Sequence, residues 1–246
     1  MCHVCDAREA AISHPTSRRR FLGLTGGIAA GLALSSAAVA KDAKPPPKPQ
    51  NVVSPDEALD RLMKGNGRYV EGVSRRHDFK HERGVLAGGQ NPYAAILSCA
   101  DSRIAPEYAF DSGRGDLFVC RVAGNFANDD TVASLEYSVA VLNTPLCMVL
   151  GHESCGAVDA TIKSLKDNTT LPGHLPLLVA ALTPAVKAVA DQPGDKLANA
   201  TRRNVSDNVA RLKAATPILS EAVGQGKLKV VGGIYRLGDG RVELLS

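Results

Sequence analysis

Two short stretches of the 246-residue sequence carry side chains that can hold a metal and act beside it. One reads Ser98-Cys99-Ala100-Asp101-Ser102-Arg103, the other Gly151-His152-Glu153-Ser154-Cys155-Gly156. Two thiolates and one imidazole suit zinc, and three protein donors leave the open position of a catalytic rather than a structural site. Asp101 and Arg103 can pair as carboxylate and guanidinium, because arginine stays charged and grips a carboxylate as a fork. The bland reading of the same residues is a stabilising zinc site next to an ordinary ion pair. Such a site would normally recruit four protein ligands.

These residues are useful only if the chain brings them together. Ala94–Cys99, Leu117–Val122 and Leu146–Leu150 are continuously apolar runs, the pattern of strands buried on both faces. Between the second and third, Thr131–Leu142 has helical spacing, and Ala157–Leu165 follows the third. Strand–helix alternation predicts a mostly parallel sheet flanked by helices, an α/β fold. Lys229–Leu237, a Gly238-Asp239-Gly240 turn and Val242–Leu245 predict a C-terminal antiparallel hairpin. In an open parallel sheet, reactive groups collect beyond the carboxyl ends of the strands. If the first and third strands are neighbours, Cys99, His152 and Cys155 converge.

Elsewhere, Ser54-Pro55-Asp56-Glu57 reads as a capped helix start, followed by Ala58, Leu59, Leu62 and Met63 at helical spacing. Gly65 and Gly67 are expected to weaken that helix near its end. Arg75–Arg83 is expected to be a charged loop. Residues 167–195 read as a loop plus an apolar helix around Leu177–Val189, and Ala198–Ala214 as an amphipathic helix.

The chain resembles the β-class carbonic anhydrases. The likeness is carried by Cys99-x-Asp101-Ser102-Arg103 and His152-x-x-Cys155-Gly156. Arg121-Val122-Ala123-Gly124-Asn125, Ser134-Leu135-Glu136-Tyr137 and Gly232-Gly233-x-Tyr235 add to it, as do Gly65-Asn66-x-Arg68-Tyr69 and Gly89-Gln90-x-Pro92. It spans about residues 54–246. It implies a zinc enzyme that interconverts carbon dioxide and bicarbonate through attack of zinc-bound hydroxide. By motif position, Cys99, His152 and Cys155 are the zinc ligands, and Asp101 and Arg103 form the catalytic dyad. The family also has a closed form in which Asp101 itself binds the metal, and Gly156 offers its backbone N–H to the substrate. A homodimer or an assembly of dimers is implied, with the helix from Ser54 wrapping the partner. Two rival readings use the same residues: a carbon disulfide or carbonyl sulfide hydrolase, and a non-catalytic zinc-binding module. The intact Asp101–Arg103 pair speaks against the second.

The first forty residues read as an address. Ser17-Arg18-Arg19-Arg20-Phe21-Leu22 precedes an uncharged stretch that ends in Ala38-Val39-Ala40, a small-x-small cleavage site. This resembles a twin-arginine export signal and implies a periplasmic protein with no stable membrane anchor after cleavage. The stretch is long enough to span a bilayer, but its glycines and the cleavage site argue against an uncut anchor. Cys2, His3 and Cys5 lie in the part to be removed. Residues 41–53, with Pro45, Pro46, Pro47 and Pro49, form a solvated linker. The globular domain is then 54–246.

Composition narrows the function classes. Hydrophobic residues make up 44% and charged residues 22%, ordinary for a soluble globular chain. The net charge of +4, from 29 basic and 25 acidic residues, does not suggest a nucleic-acid binder. His77 and His81 have the i, i+4 spacing of a zinc-protease helix but lack the glutamate after the first histidine, so a solvated loop is favoured. His174 is expected to be exposed. Cys120 and Cys147 sit inside apolar strands and read as inert thiols.

Overall fold

The computed structural model describes residues 52–245. The proposed signal, most of the linker and Cys2, His3 and Cys5 lie outside the described residues. Five strands form one sheet in the order β2-β1-β3-β4-β5. They are β1 (Ala94–Ser98), β2 (Leu117–Arg121), β3 (Leu146–His152), β4 (Lys229–Tyr235) and β5 (Val242–Leu245). β1 to β4 are parallel, and β5 closes antiparallel on β4. The expected α/β fold with a terminal hairpin is therefore present.

For β1 and β3 the continuous apolar runs have a simple cause: both sheet faces are covered. β2, expected to be buried on both faces, is instead an edge strand that is only partly buried and ends in the exposed Arg121. Ile96, Met148 and Leu150 point to one side, under helices α1 (Pro55–Val70) and α3 (Pro106–Ala109). Leu97, Cys147 and Val149 point to the other. There they meet α4 (Asp129–Ala140), α7 (Lys196–Ala214) and α8 (Ile218–Gly224). A third cluster, at the carboxyl end of the sheet, joins α5 (Gly156–Asp167) to α6 (Leu175–Ala188) and encloses Cys99 and Cys155. None of the described helices is long and apolar enough to cross a membrane.

The helix from Ser54 opens with a complete capping box, the Ser54 and Glu57 side chains each bonding the other's backbone N–H. It does not weaken at its glycines but runs through both to Val70. At Gly65 the helix touches α3 so closely that a Cβ would lie 1.9 Å from the Phe110 carbonyl oxygen. Its apolar face packs on the chain's own sheet, where Ala58 and Leu62 are fully buried. Asn66, 3% exposed, ties this helix to the end of the chain. Its Nδ2 donates to the carbonyls of Ala109 (2.9 Å) and Gly240 (2.8 Å), and its Oδ1 accepts from the Val242 N–H at 2.8 Å.

The expected charged loop holds a helix, α2 (Phe79–Leu86). Distant contacts stabilise it. Arg114 donates to the Phe79 carbonyl at 2.6 Å, stacks over the Phe79 ring and lies 3.6 Å from Glu82. His77 precedes the helix, stacks on Phe79 and pairs with Glu82 at 3.4 Å, so it is not part of α2. His174 is exposed, as expected.

Candidate metal and catalytic site

β1 and β3 are adjacent, with Ala95 beside Cys147 and Ser98 beside Leu150. Cys99 therefore leaves the sheet next to His152, the last residue of β3. The chain then turns through Ser154, whose φ of +52° is rare for a residue with a side chain. Cys155 caps α5. The ligand atoms of Cys99, His152 and Cys155 all lie within 4.8 Å of one another, and the three residues are buried. The convergence expected from the sequence is thus present.

The donors are prepared for a cation. The His152 Nδ1 lies 2.8 Å from the Glu153 carbonyl, which can only accept, so Nδ1 is the donor and Nε2 is the nitrogen left for a metal. Nε2 is buried and has no hydrogen-bond partner. The Cys99 sulfur accepts from the Gly124 N–H at 3.3 Å. A hydrogen bond from Cys155 is the largest influence on Cys99 and holds its thiol well below the usual range. The same bond and burial push the Cys155 thiol up, while the Ala157 and Val158 N–H groups of α5 favour its thiolate. An orphaned imidazole nitrogen beside two buried cysteine sulfurs fits a thiolate-binding ion such as zinc.

Asp101 stands outside this ligand group. Arg103 holds it as a fork, Nε to Oδ1 at 3.0 Å and an NH2 nitrogen to Oδ2 at 2.7 Å, and the Arg103 N–H adds a third bond at 2.9 Å. The Arg103 side chain keeps the Asp101 carboxyl far below the ordinary carboxylate range. The Asp101 Oδ2 lies 3.9 Å from the His152 Nε2, so the carboxylate borders the metal cluster while turned toward arginine. Arg103 also donates to the Ser154 carbonyl at 3.2 Å, joining the two motifs. Gly156 is the first residue of α5, where N–H groups lack intrahelical partners, and no atom lies within 4 Å of where its Cβ would stand.

The sequence reading gave no role to Arg121, which organises the Asp101 loop. It donates to the carbonyls of Cys99 (2.9 Å), Asp101 (2.7 Å) and Ile104 (2.9 Å). Its place in the Arg121-Val122-Ala123-Gly124-Asn125 motif, at the carboxyl end of an apolar run, marked it without showing what it holds. Gly124, three residues on, has a φ of +86°, and a Cβ there would press on Leu182 at 2.8 Å. Cys120 and Cys147 are both free. β1 lies between them, Cys120 beside Leu97 and Cys147 beside Ala95. Two strand spacings, about 9.6 Å, exceed disulfide reach.

A family profile described as carbonic anhydrase matches residues 94–242, from the start of β1 to the first residue of β5. This chain belongs to the β-class carbonic anhydrases. Carbonic anhydrase 2 of Mycobacterium tuberculosis is 40% identical over 193 residues, covering 78% of this chain and 93% of its own length. The carbonic anhydrase of Mycolicibacterium smegmatis is 36% identical over 194 residues, with 78% and 94% covered. Among solved structures, the β-carbonic anhydrase CcaA superposes with a TM-score of 0.59 at 29% identity, covering 76% of this chain and 95% of its own. A tetrameric β-carbonic anhydrase of Sordaria macrospora gives 0.63 at 25% identity, with 77% and 98% covered.

Proposed function

We propose that this β-class carbonic anhydrase interconverts carbon dioxide and bicarbonate with zinc held by Cys99, His152 and Cys155. The single observation that carries the reading is the Asp101–Arg103 fork beside the three-donor cluster. When bound, zinc supplies a Lewis acid that makes a water-derived nucleophile available near neutral pH.

The side chains have separate tasks. Arg103 keeps Asp101 ionised and turned away from the three donors. Asp101, an acceptor only, fixes the orientation of a protic nucleophile by taking its hydrogen bond. Gly156 offers an N–H at the positive end of α5 toward the oxygen on which charge develops. Arg121 and the Gly124 N–H hold the Cys99 loop still while this happens. The cluster of Val158, Leu182 and Val189 around Cys99 and Cys155 excludes water from the sulfurs.

Stopped-flow hydration of carbon dioxide by the purified, zinc-assayed protein tests the reading. Zinc-loaded protein with no hydration activity above pH 8 would sink it. Sulfide release from carbon disulfide or carbonyl sulfide, run in parallel, measures the rival hydrolase, which has no structural observation of its own. The further proposals are assembly through dimers, consistent with the exposed Tyr108 and Tyr137, and twin-arginine export to the periplasm, which rests on residues 17–40.

A further inference from the structure

A cleft of about 500 Å³ lies between α5, the end of α6 and the start of α7, within roughly the 300–1,000 Å³ range of small-molecule sites. Its floor is apolar. Ile162, Val186 and Val189 line it and belong to the same packed cluster as Cys99 and Cys155. Leu165, 37% exposed, forms part of the wall.

The rest of the lining is basic. Lys166, Lys187 and Lys196 are exposed and line the same cleft. Among the described residues, none of these ammonium groups has a carboxylate within ion-pair distance. Lys163, on the same helix but outside the cleft, is paired with Asp159 at 2.6 Å. Of the acids nearest in sequence to these lysines, Asp195 caps α7 through the Leu197 and Ala198 N–H groups, while Asp167 and Asp191 adjoin Lys166 and Ala190 along the chain.

This pairing selects a ligand class. A wholly apolar molecule would leave the lysines unused, and a small inorganic anion would leave the floor unused. Nucleic acid would need a broader basic field than a net charge of +4 supplies. An amphipathic anion uses both halves. We propose that the cleft binds a free fatty carboxylate, its alkyl chain on Ile162, Val186 and Val189 and its carboxylate among Lys166, Lys187 and Lys196. This binding is independent of the carbon dioxide chemistry.

Calorimetric titration of the full chain tests it with octanoate, decanoate and dodecanoate below their micelle concentrations. Acetate serves as the headgroup alone, and dodecyltrimethylammonium carries the same tail with opposite charge. Each methylene that reaches the floor multiplies affinity by about fourfold, so dodecanoate should bind at least ten times more tightly than octanoate. Dodecyltrimethylammonium should bind at least tenfold more weakly than dodecanoate. Replacing the lysines together (K166E, K187E, K196E) should cost at least tenfold. Ala190→Phe, an exposed position that fills the cleft, should do the same while circular dichroism stays unchanged, and it keeps the test valid if the triple variant fails to fold. The proposal fails if no carboxylate binds, if acetate matches dodecanoate, or if the cationic tail binds equally. It also fails if Ala190→Phe binds as well as the parent, or if anionic lipid vesicles are bound while free dodecanoate is not.

Discussion

Arg121, at the end of β2, donates from Nε to the Cys99 carbonyl at 2.9 Å, reaching across to the end of the next strand. Its two other bonds, to Asp101 and Ile104, make one guanidinium the anchor of the whole segment between the first metal donor and α3. Those carbonyls leave the sheet and have no strand partner to take their place. Arg121→Gln can replace at most part of this set. Turnover should fall by about 10- to 100-fold, the usual effect of losing support around a metal site. Zinc content should fall less than turnover, because the sulfur and imidazole donors remain. Metal analysis beside stopped-flow rates checks the order, and an unchanged rate would make the anchor dispensable.

Asp101→Asn separates metal binding from catalysis. The amide keeps the shape but loses the charge that Arg103 grips, and it can donate where an acceptor is needed. Zinc should be retained and turnover should drop by at least about 100-fold, within the range for a positioned proton-handling group. Near-normal hydration in this variant would remove Asp101 from the mechanism.

Cys155→Ser and Cys99→Ala should each lose zinc and activity together, with a lower unfolding midpoint, since metal binding to a preformed site contributes to folding stability. Adding chelator to the parent protein should reproduce the loss. Full zinc occupancy in either variant would mean that the three-donor set is not the ligand set.

Acid should destabilise the fold through Asp111 as well as Asp101. Burial raises the Asp111 pKa, but the Arg68 Nε at 2.5 Å and the Arg75 N–H at 2.9 Å outweigh it, and the net shift is downward. A carboxyl with a folded pKa below its unfolded one contributes stability above the unfolded value, about 3.9, and loses it as pH falls through the folded value. Asp111→Asn should therefore cost about 2 kcal/mol at pH 7. It should also flatten the decline between pH 5 and the acid limit in urea titrations. An equal cost at pH 7 and pH 3 would assign the loss to packing.

Export and metal loading should be coupled. Twin-arginine export carries folded proteins, and the reducing cytosol keeps Cys99 and Cys155 available as thiolates. Replacing Arg18 and Arg19 with lysine should trap active, zinc-loaded protein in the cytoplasm. Rerouting the unfolded chain with a Sec-type signal should deliver periplasmic protein that is poor in zinc. Equal zinc content and specific activity by both routes would show that the path does not matter to the site.

The elements that carry the ligands were legible because burial on both faces leaves continuous apolar runs, and Ala94–Ser98 and Leu146–His152 obey that rule. The meeting of Cys99 with His152 and Cys155 was conditional on β1 and β3 pairing, a fact of topology that no local pattern encodes. α2 was missed because its stability comes from Arg114, far along the chain, rather than from its own periodicity. Gly65 misled for a related reason. A glycine in a helix weakens the helix alone, but here the absence of a side chain is what lets α1 lie on α3. The Asp101–Arg103 fork was legible from spacing, whereas the task of Arg121, present in a resemblance motif, was not, because its partners are backbone carbonyls and backbone leaves no mark in a sequence.

The Asn66 clasp has a consequence for how the protein is made. Its donors and acceptor join α1 to Gly240 and Val242, as much as 176 positions later. On the ribosome α1 emerges first and waits for nearly the whole domain before this partner exists. Among the described residues, β5 is also the strand beside β4 on the side away from β3. A chain ending short of Val242 would keep every proposed zinc donor and the Asn66 bond to Ala109, yet would lose the tie between α1 and β5. For a protein proposed to cross a membrane already folded, the tie between Asn66 and Val242 is a late one that must form before export.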